Sequence, residues 1–266
     1  MDCPEPQGWP TDARRDRLIG DWYLYQRTGG HRTSTDDLIT AWYATHRHPE
    51  RPERYLDLGC GTGSVMFMVS HKLRPALVHG IEAQAQSAAM AQRAIGELPG
   101  HPCRFQITRG DFRELPIEEQ RYELITGSPP YFPVTAGVLP KDAQRRACRF
   151  ELRGGVEGYM QAAARALTPD GRFYVVFQSL WQERVLEAAS QHGLHLTGQA
   201  DFWMRRDRPA AFLSVYELSR HAVDVPHRVS YPVRDSNGEI SPEYLQLRRE
   251  LGVSAETASP DPAGTR

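Results

Sequence analysis

Lysine is nearly missing from this chain. Lys72 and Lys141 are the only two, and arginine supplies the rest of the 32 basic side chains. Against 33 acidic residues this leaves a formal charge of -1 and a pI near 6.8. That balance excludes a histone-like nucleic-acid coat, although local basic clusters can still hold phosphate. Cysteine is scarce too. Cys3, Cys60, Cys103 and Cys148 form no CxxC pair and no zinc-like Cys/His spacing, and the ten histidines are not paired for metal or triad work. Reduced thiols and no metal are therefore expected. Long apolar runs are also lacking: the first twenty residues have no signal-peptide core, and no uncharged stretch downstream suits a bilayer. A cytoplasmic protein with no membrane partner is expected, of unassigned oligomeric state.

What is present is an alternation of short apolar runs with helical periodicity over residues 54–218. Strands are predicted at 54–58, 77–82, 104–108, 122–126 and 172–177, and helices at 65–73, 84–98, 156–167 and 181–192. Two further strand-like runs, 198–205 and 210–218, flank Arg206-Asp207-Arg208-Pro209 and read as a hairpin. The expectation is an α/β fold: a Rossmann-like seven-stranded sheet of five parallel strands plus a C-terminal antiparallel hairpin, with helices on both faces. Residues 1–20 read as a flexible N-terminus. A single domain spans 21–253, with a cap segment (21–53) packed on the active edge and an extension (219–253) carrying a short helix at 242–251. The polar tail 254–266 is expected to be disordered.

The first strand runs into Asp57-Leu58-Gly59-Cys60-Gly61-Thr62-Gly63 and then a helix. Glycines at alternate positions let a ligand approach the backbone, and amides at the helix start favour a polar group. Position 64 is Ser and position 66 is Met, so the G-x-G-x-x-G fingerprint of a dinucleotide site is absent. Glu82 ends the second strand at a spacing that suits a ribose, with Ala83 beside it. Asp111 and Phe112 follow the third and suit an adenine amine and ring. Acids at three consecutive strand ends beside this turn point to S-adenosylmethionine, with S-adenosylhomocysteine as product.

The fourth strand ends in Ser128-Pro129-Pro130-Tyr131. Proline fixes its own φ and extends the residue before it, which holds the Ser128 and Pro129 carbonyls and the Tyr131 ring rigidly at the strand's carboxyl end. Ligands of open α/β sheets bind at that end. A hydroxyl, a fixed carbonyl and the Tyr131 and Phe132 rings suit a flat base bearing an exocyclic amine.

Together the acidic glycine turn, Glu82, Asp111 and the Pro-Pro-Tyr turn resemble class I amino-methyltransferases, whose usual motif is Asn- or Asp-Pro-Pro-Tyr. The flanking segments resemble the bacterial tRNA adenine-N6 methyltransferases that modify the adenine beside the anticodon of a valine tRNA. They are Gly30 to Asp36, Arg149 to Gly158, and Asp235 to Gly238 with Pro242 to Tyr244. The likeness spans about residues 20–252. It implies a transferase acting on tRNA, with Ser34 and Asp36 near the cofactor's methionine end. Residue chemistry alone reads those two as a cap for the helix that follows. Ser128 departs from the family pattern, since its hydroxyl is shorter than the Asn side chain and can donate or accept.

Arg145, Arg146, Arg149 and Arg153 follow the turn in a segment able to lid the site and hold RNA phosphates. Ion pairs with Asp142 and Glu151 are the alternative. Arg205, Arg206 and Arg208 read as a solvated hairpin tip, and Trp42, Trp181 and Trp203 as core. Two rival functions stay open at this level. One is N-methylation of another planar amine or amide, in rRNA, DNA or a protein glutamine; the other is a non-catalytic cofactor- or RNA-binding protein.

Overall fold

Alternating burial along the strands organises the structure, because successive strand residues face opposite sides of a sheet. In the computed structural model, which describes residues 9–135 and 139–253, Tyr174 and Val176 enter one apolar core while Phe173, Val175 and Phe177 enter the other. The chain forms β1 (Ala13–Ile19), β2 (Trp22–Arg27), α1 (Thr35–Arg47), β3 (Arg54–Leu58), α2 (Ser64–Leu73), β4 (Leu77–Glu82) and α3 (Ala85–Ile95). There follow β5 (Arg104–Arg109), β6 (Tyr122–Gly127), α4 (Ala143–Arg149), α5 (Val156–Ala166), β7 (Leu167–Gln178) and α6 (Gln182–Gln191). Last come β8 (His195–Trp203), β9 (Leu213–Ser219), β10 (His227–Pro232) and α7 (Pro242–Leu251). Sheet order is β10-β8-β9-β7-β6-β3-β4-β5. Helices α1, α2 and α7 cover one face, and α5 and α6 the other.

The seven expected strands are β3 to β9. Strands β3 to β7 run parallel, and β9 lies antiparallel between β7 and β8. An eighth strand, β10, extends the edge by pairing parallel with β8. Its sequence, His-Arg-Val-Ser-Tyr-Pro, is largely exposed, so backbone pairing rather than an apolar run forms it. Tyr231 is its chief anchor, stacked on Phe202 at 5.8 Å and edge-on to Trp42 at 5.2 Å. The N-terminus departs from expectation. Within the segment read as flexible, β1 pairs with β2, and Leu18 and Ile19 are buried against the α2 side of the core. The preceding Arg14-Arg15-Asp16-Arg17 hides that strand from a hydropathy reading. The expected tail 254–266 lies outside the described residues.

The order reverses at β3: β4 and β5 lie on one side, β6 and β7 on the other. A crevice therefore opens between the carboxyl ends of β3 and β6. Helix α1 is held over it from two directions. Trp42 Nε1 donates to Glu250 of α7 at 2.9 Å. At its other end Arg47 Nε donates to Glu217 of β9 at 2.9 Å, and Arg172 of β7 donates to the same carboxylate. Glu217 is fully buried, so the pair of guanidiniums is what makes its charge tolerable. Among the described residues no helix is long and apolar enough to cross a membrane.

Arg47→Met combined with Arg172→Met should cost about 3–5 kcal/mol in urea unfolding, the penalty of stranding a buried charge. Adding Glu217→Met should recover most of that loss. A double variant as stable as the parent would show that the carboxylate needs neither partner.

Candidate active site

Strand β3 delivers Asp57, and the turn after it bends through three residues of positive φ: Gly59 (68°), Gly61 (56°) and Gly63 (94°). Each L side chain there would be strained. The space around them differs. A Cβ on Gly59 would lie 2.6 Å from Tyr159 Oη, whereas nothing lies within 4 Å of one on Gly61. The middle glycine thus presents bare backbone to open space, as a closely held ligand requires. Glu82 braces this turn from β4: its carboxylate accepts from the Gly61 amide at 2.9 Å and from the Gln84 amide at 2.6 Å.

Four carboxylates gather here. Burial pushes the Asp57 carboxyl up to about 7, against a 2.6 Å hydrogen bond donated by Thr126 and with the charge of Glu82 adding to the rise. Burial likewise raises Glu82 despite its two amide donors. Asp37, in the first turn of α1, is raised well above the usual range by burial and then by the charges of Asp36 and Asp57. Asp36 completes the group. Among the described residues no set of three or more His, Cys, Asp or Glu is arranged to hold a metal. Poorly solvated acids with little counter-charge favour a cationic guest. A sulfonium and an ammonium fit that demand, so the residues present suit S-adenosylmethionine.

Asp111 and Phe112, the pair expected from sequence to suit an adenine, stand differently. Asp111 accepts from Arg113 through Nε (2.7 Å), Nη2 (2.6 Å) and the backbone amide (3.0 Å). Burial would raise its carboxyl, but these donors hold it below the usual range. Phe112 is buried, its ring edge-on to Tyr159 at 4.6 Å. Ala83 follows Glu82, half-buried, at the start of the turn into α3.

The Pro-Pro turn leaves β6 at Gly127, directly beside β3. Ser128 Oγ is buried and has no hydrogen-bond partner among the described residues, a costly state unless a ligand supplies one. Tyr131 packs edge-on against Phe177 at 5.6 Å, and its hydroxyl donates to Asp36 Oδ2 at 2.8 Å. Asp36 also accepts from Ser34. Ser34 is the N-cap of α1 as its residue chemistry implies, with the Asp37 carboxylate accepting from its amide at 3.0 Å. The cap reading and the site reading therefore describe one structure, in which α1 and the Pro-Pro turn are bonded together.

Helix α4 folds back over the turn. The Phe132 amide donates to the Arg149 carbonyl at 3.0 Å, the Glu151 amide to the Phe132 carbonyl at 2.8 Å, and the Arg149 guanidinium lies 5.7 Å from the Phe132 ring. The acids considered as partners for the arginine cluster are engaged elsewhere: Asp142 with Arg27 at 2.8 Å, Glu151 with Arg184 at 2.7 Å. Among the described residues Arg145, Arg146, Arg149 and Arg153 have no ion-pair partner, and Arg146 donates to the Pro140 carbonyl at 3.4 Å. At the hairpin tip Arg205 pairs with Asp207 and Arg206 with Glu243, each at 2.5 Å.

Sequence reasoning missed Tyr159 and Asp37. Tyr159 lies across both turns: a Cβ on Gly127 would meet its ring at 2.7 Å, as one on Gly59 meets its hydroxyl. In the sequence it is one more apolar-face residue of a helix. Only Gly127, placed just before Ser128, hints that something crosses there. Trp181, read as core, is 41% exposed at the end of the loop after β7.

A protein family described as "Methyltransferase domain" matches residues 56–149. Among solved structures, a predicted O-methyltransferase from Agrobacterium tumefaciens is similar with a TM-score of 0.58 at 16% identity, covering 84% of this chain and 100% of that one. M. jannaschii TYW2 in complex with AdoMet is similar with a TM-score of 0.53 at 12% identity, covering 79% and 87%. The sheet has the class I methyltransferase fold, and with the matched domain and the glycine turn the chain is an S-adenosylmethionine-dependent methyltransferase. It is similar to the tRNA1(Val) (adenine(37)-N6)-methyltransferase of Yersinia enterocolitica serotype O:8 / biotype 1B, at 28% identity over 79% of this chain and 81% of that one. Its identity to the protein of the same name from Yersinia pestis strain Pestoides F is 27%, over 81% and 85%.

The raised acids set a pH dependence. A carboxyl that titrates near 3.8 unfolded and about 7 folded contributes stability that is fully present below the lower value and lost as pH rises through the upper. For Asp57 alone that is about 4 kcal/mol across the window. The ligand-free enzyme should therefore be less stable at about pH 8 than at about pH 5, and Asp57→Asn should flatten the slope, both read from urea midpoints. An equal slope in the variant would remove Asp57 as its source.

Proposed function

We propose that this enzyme methylates the N6 amine of an adenine in tRNA, in the cytoplasm. The single observation that carries the reading is the buried, unpartnered Ser128 hydroxyl in a Pro-Pro turn beside the glycine turn. The relatives named for tRNA1(Val) adenine-37 support the choice of acceptor.

In this reading Gly59, Gly61 and Gly63 admit the cofactor to the backbone, while Glu82 with Ala83 takes the ribose. Asp111 and Phe112 take the adenine. Asp57, Ser34 and Asp36 face the methionine portion, and Asp37 lies behind them. Held there, S-adenosylmethionine would supply a methyl on positively charged sulfur, and the N6 amine that gains it sheds one proton to water. The protein's work is at the other partner. An adenine amine is a poor nucleophile because its lone pair is delocalised into the ring. Acceptors aimed at its N–H groups draw density onto nitrogen as positive charge develops there. Ser128 Oγ and the Pro129 carbonyl are those acceptors, and Pro129 and Pro130 hold them without reorganisation. Tyr131 and Phe132 border the base. Fixing nitrogen in line with the methyl contributes several kcal/mol, out of a ceiling of about 7–11 for orientation. The Asp36–Tyr131 bond joins the cofactor side to the acceptor side, so filling one orders the other. Arg145, Arg146 and Arg149 receive the RNA backbone.

Ser128→Ala should lower kcat by about 100- to 1000-fold, the scale of one lost polar contact to developing charge, with cofactor affinity unchanged. Ser128→Asn should retain or raise turnover. The deciding experiment is transfer of a radiolabelled methyl to unmodified total RNA followed by nucleoside identification, with N6-methyladenosine expected. Label in another nucleoside, in DNA or in protein would replace the acceptor, and cofactor binding without transfer to any pool would replace the enzyme by a binding protein.

A further inference from the structure

Strand β7 lies beside β6, with Val175 in register with Gly127. The loop that follows β7 therefore emerges on the same edge as the acceptor turn, a few residues further along. It carries Leu180, 83% exposed, and Trp181. Phe212, 48% exposed, stands next to them, because its carbonyl accepts from the Ser179 amide at 3.0 Å where β9 begins. Three large apolar side chains thus form an uncovered ledge on two bonded backbone segments. The site lies close by: Phe177, two residues before Ser179, is the ring against which Tyr131 packs.

Charge distinguishes among possible occupants. On the other side of the Pro-Pro turn stand the guanidiniums of Arg145, Arg146 and Arg149 on α4, with no ion pair among the described residues, whereas Arg153 already faces acids, its charge acting on Glu82 and Asp111. Arg184, on α6 just past Trp181, reaches over to Glu151 at 2.7 Å and Glu157 at 2.6 Å. It ties the apolar rim to the cationic rim and is itself neutralised. The opening is thus apolar on one side and basic on the other. A single nucleic-acid strand presents that combination, aromatic faces on one side and phosphates on the other, and an apolar peptide does not.

We infer that the Leu180–Trp181–Phe212 ledge stacks a base flanking the methylated adenine in a single-stranded RNA loop, while Arg145 and Arg149 hold that strand's phosphates. This rests on the nucleic-acid reading above. Stacking on an aromatic plate is tolerant of base identity, so the ledge contributes affinity and register rather than sequence choice.

The test compares full-length wild type with Trp181→Ala, Trp181→Phe, Phe212→Ser and Arg149→Ala, using unmodified total tRNA as substrate. Trp181→Ala should raise the KM for tRNA by about 5- to 100-fold, from the loss of one stacked base. Its kcat and its thermal shift with S-adenosylhomocysteine should match wild type. Trp181→Phe should restore most of the affinity, and Phe212→Ser should act in the same direction as Trp181→Ala. Arg149→Ala should reduce the slope of log affinity against log salt by about 0.7, the value for one single-strand phosphate contact; Trp181→Ala should leave that slope alone. An unchanged KM in Trp181→Ala, with wild type active on tRNA, overturns the ledge and spares the acceptor reading. So does a change of oligomeric state in Trp181→Ala, by sedimentation, with KM unchanged. Wild type inactive on every RNA overturns the acceptor reading and the ledge with it.

Discussion

Negative charge held out of water organises this molecule's active edge. Asp57, Glu82 and Asp37 are buried against the start of α2, with hydrogen bonds that only partly replace solvent. Such groups are expensive to keep ionised. The fold tolerates them because the sheet's switch point puts two strand ends and two helix starts into one small volume. Amides of Gly61, Gln84 and Ser34 serve the carboxylates there. The rest of the site is arranged about this cost. The glycine turn gives access, and Asp36 carries the negative field to the Tyr131 hydroxyl. A ligand bearing positive charge offsets what folding alone leaves unbalanced.

The parallel core was legible in sequence because its strands are short apolar runs between helical periods. Arg54–Leu58 and Leu77–Glu82 match expectation residue for residue, as does α7 at Pro242–Leu251. What escaped were strands fixed by neighbours rather than composition. In β1 the charged side chains face outward and only Leu18 and Ile19 anchor it; β10 owes its existence to β8. At β7, expected at 172–177, the strand begins at Leu167 and passes through Pro169-Asp170-Gly171 with an irregular register against β6.

At the site, residues with a motif were visible and residues acting through space were not. Asp57, the three glycines, Glu82 and the Pro-Pro turn announce themselves by spacing along the chain. Tyr159 does not, because its role comes from lying across Gly59 and Gly127, which are far apart in sequence and adjacent only after β3 and β6 pair. The pairing of Asp142 with Arg27, rather than with a neighbouring arginine, depends in the same way on the N-terminal hairpin, invisible to local reading. Trp181 was misjudged because helical periodicity cannot tell a core face from the first residue of a helix that emerges at a sheet edge.

The bond from Trp42 to Glu250 joins two helices whose bonded residues stand 208 positions apart in the sequence. Helix α1 supplies Asp36 and Asp37, yet its outer flank is completed only by α7, whose Tyr244, Leu247 and Leu251 are buried against the same core. The acids of α1 are therefore only as steady as α7: a change that frays that helix reaches Asp36 and Asp37 through Trp42 rather than through the sheet.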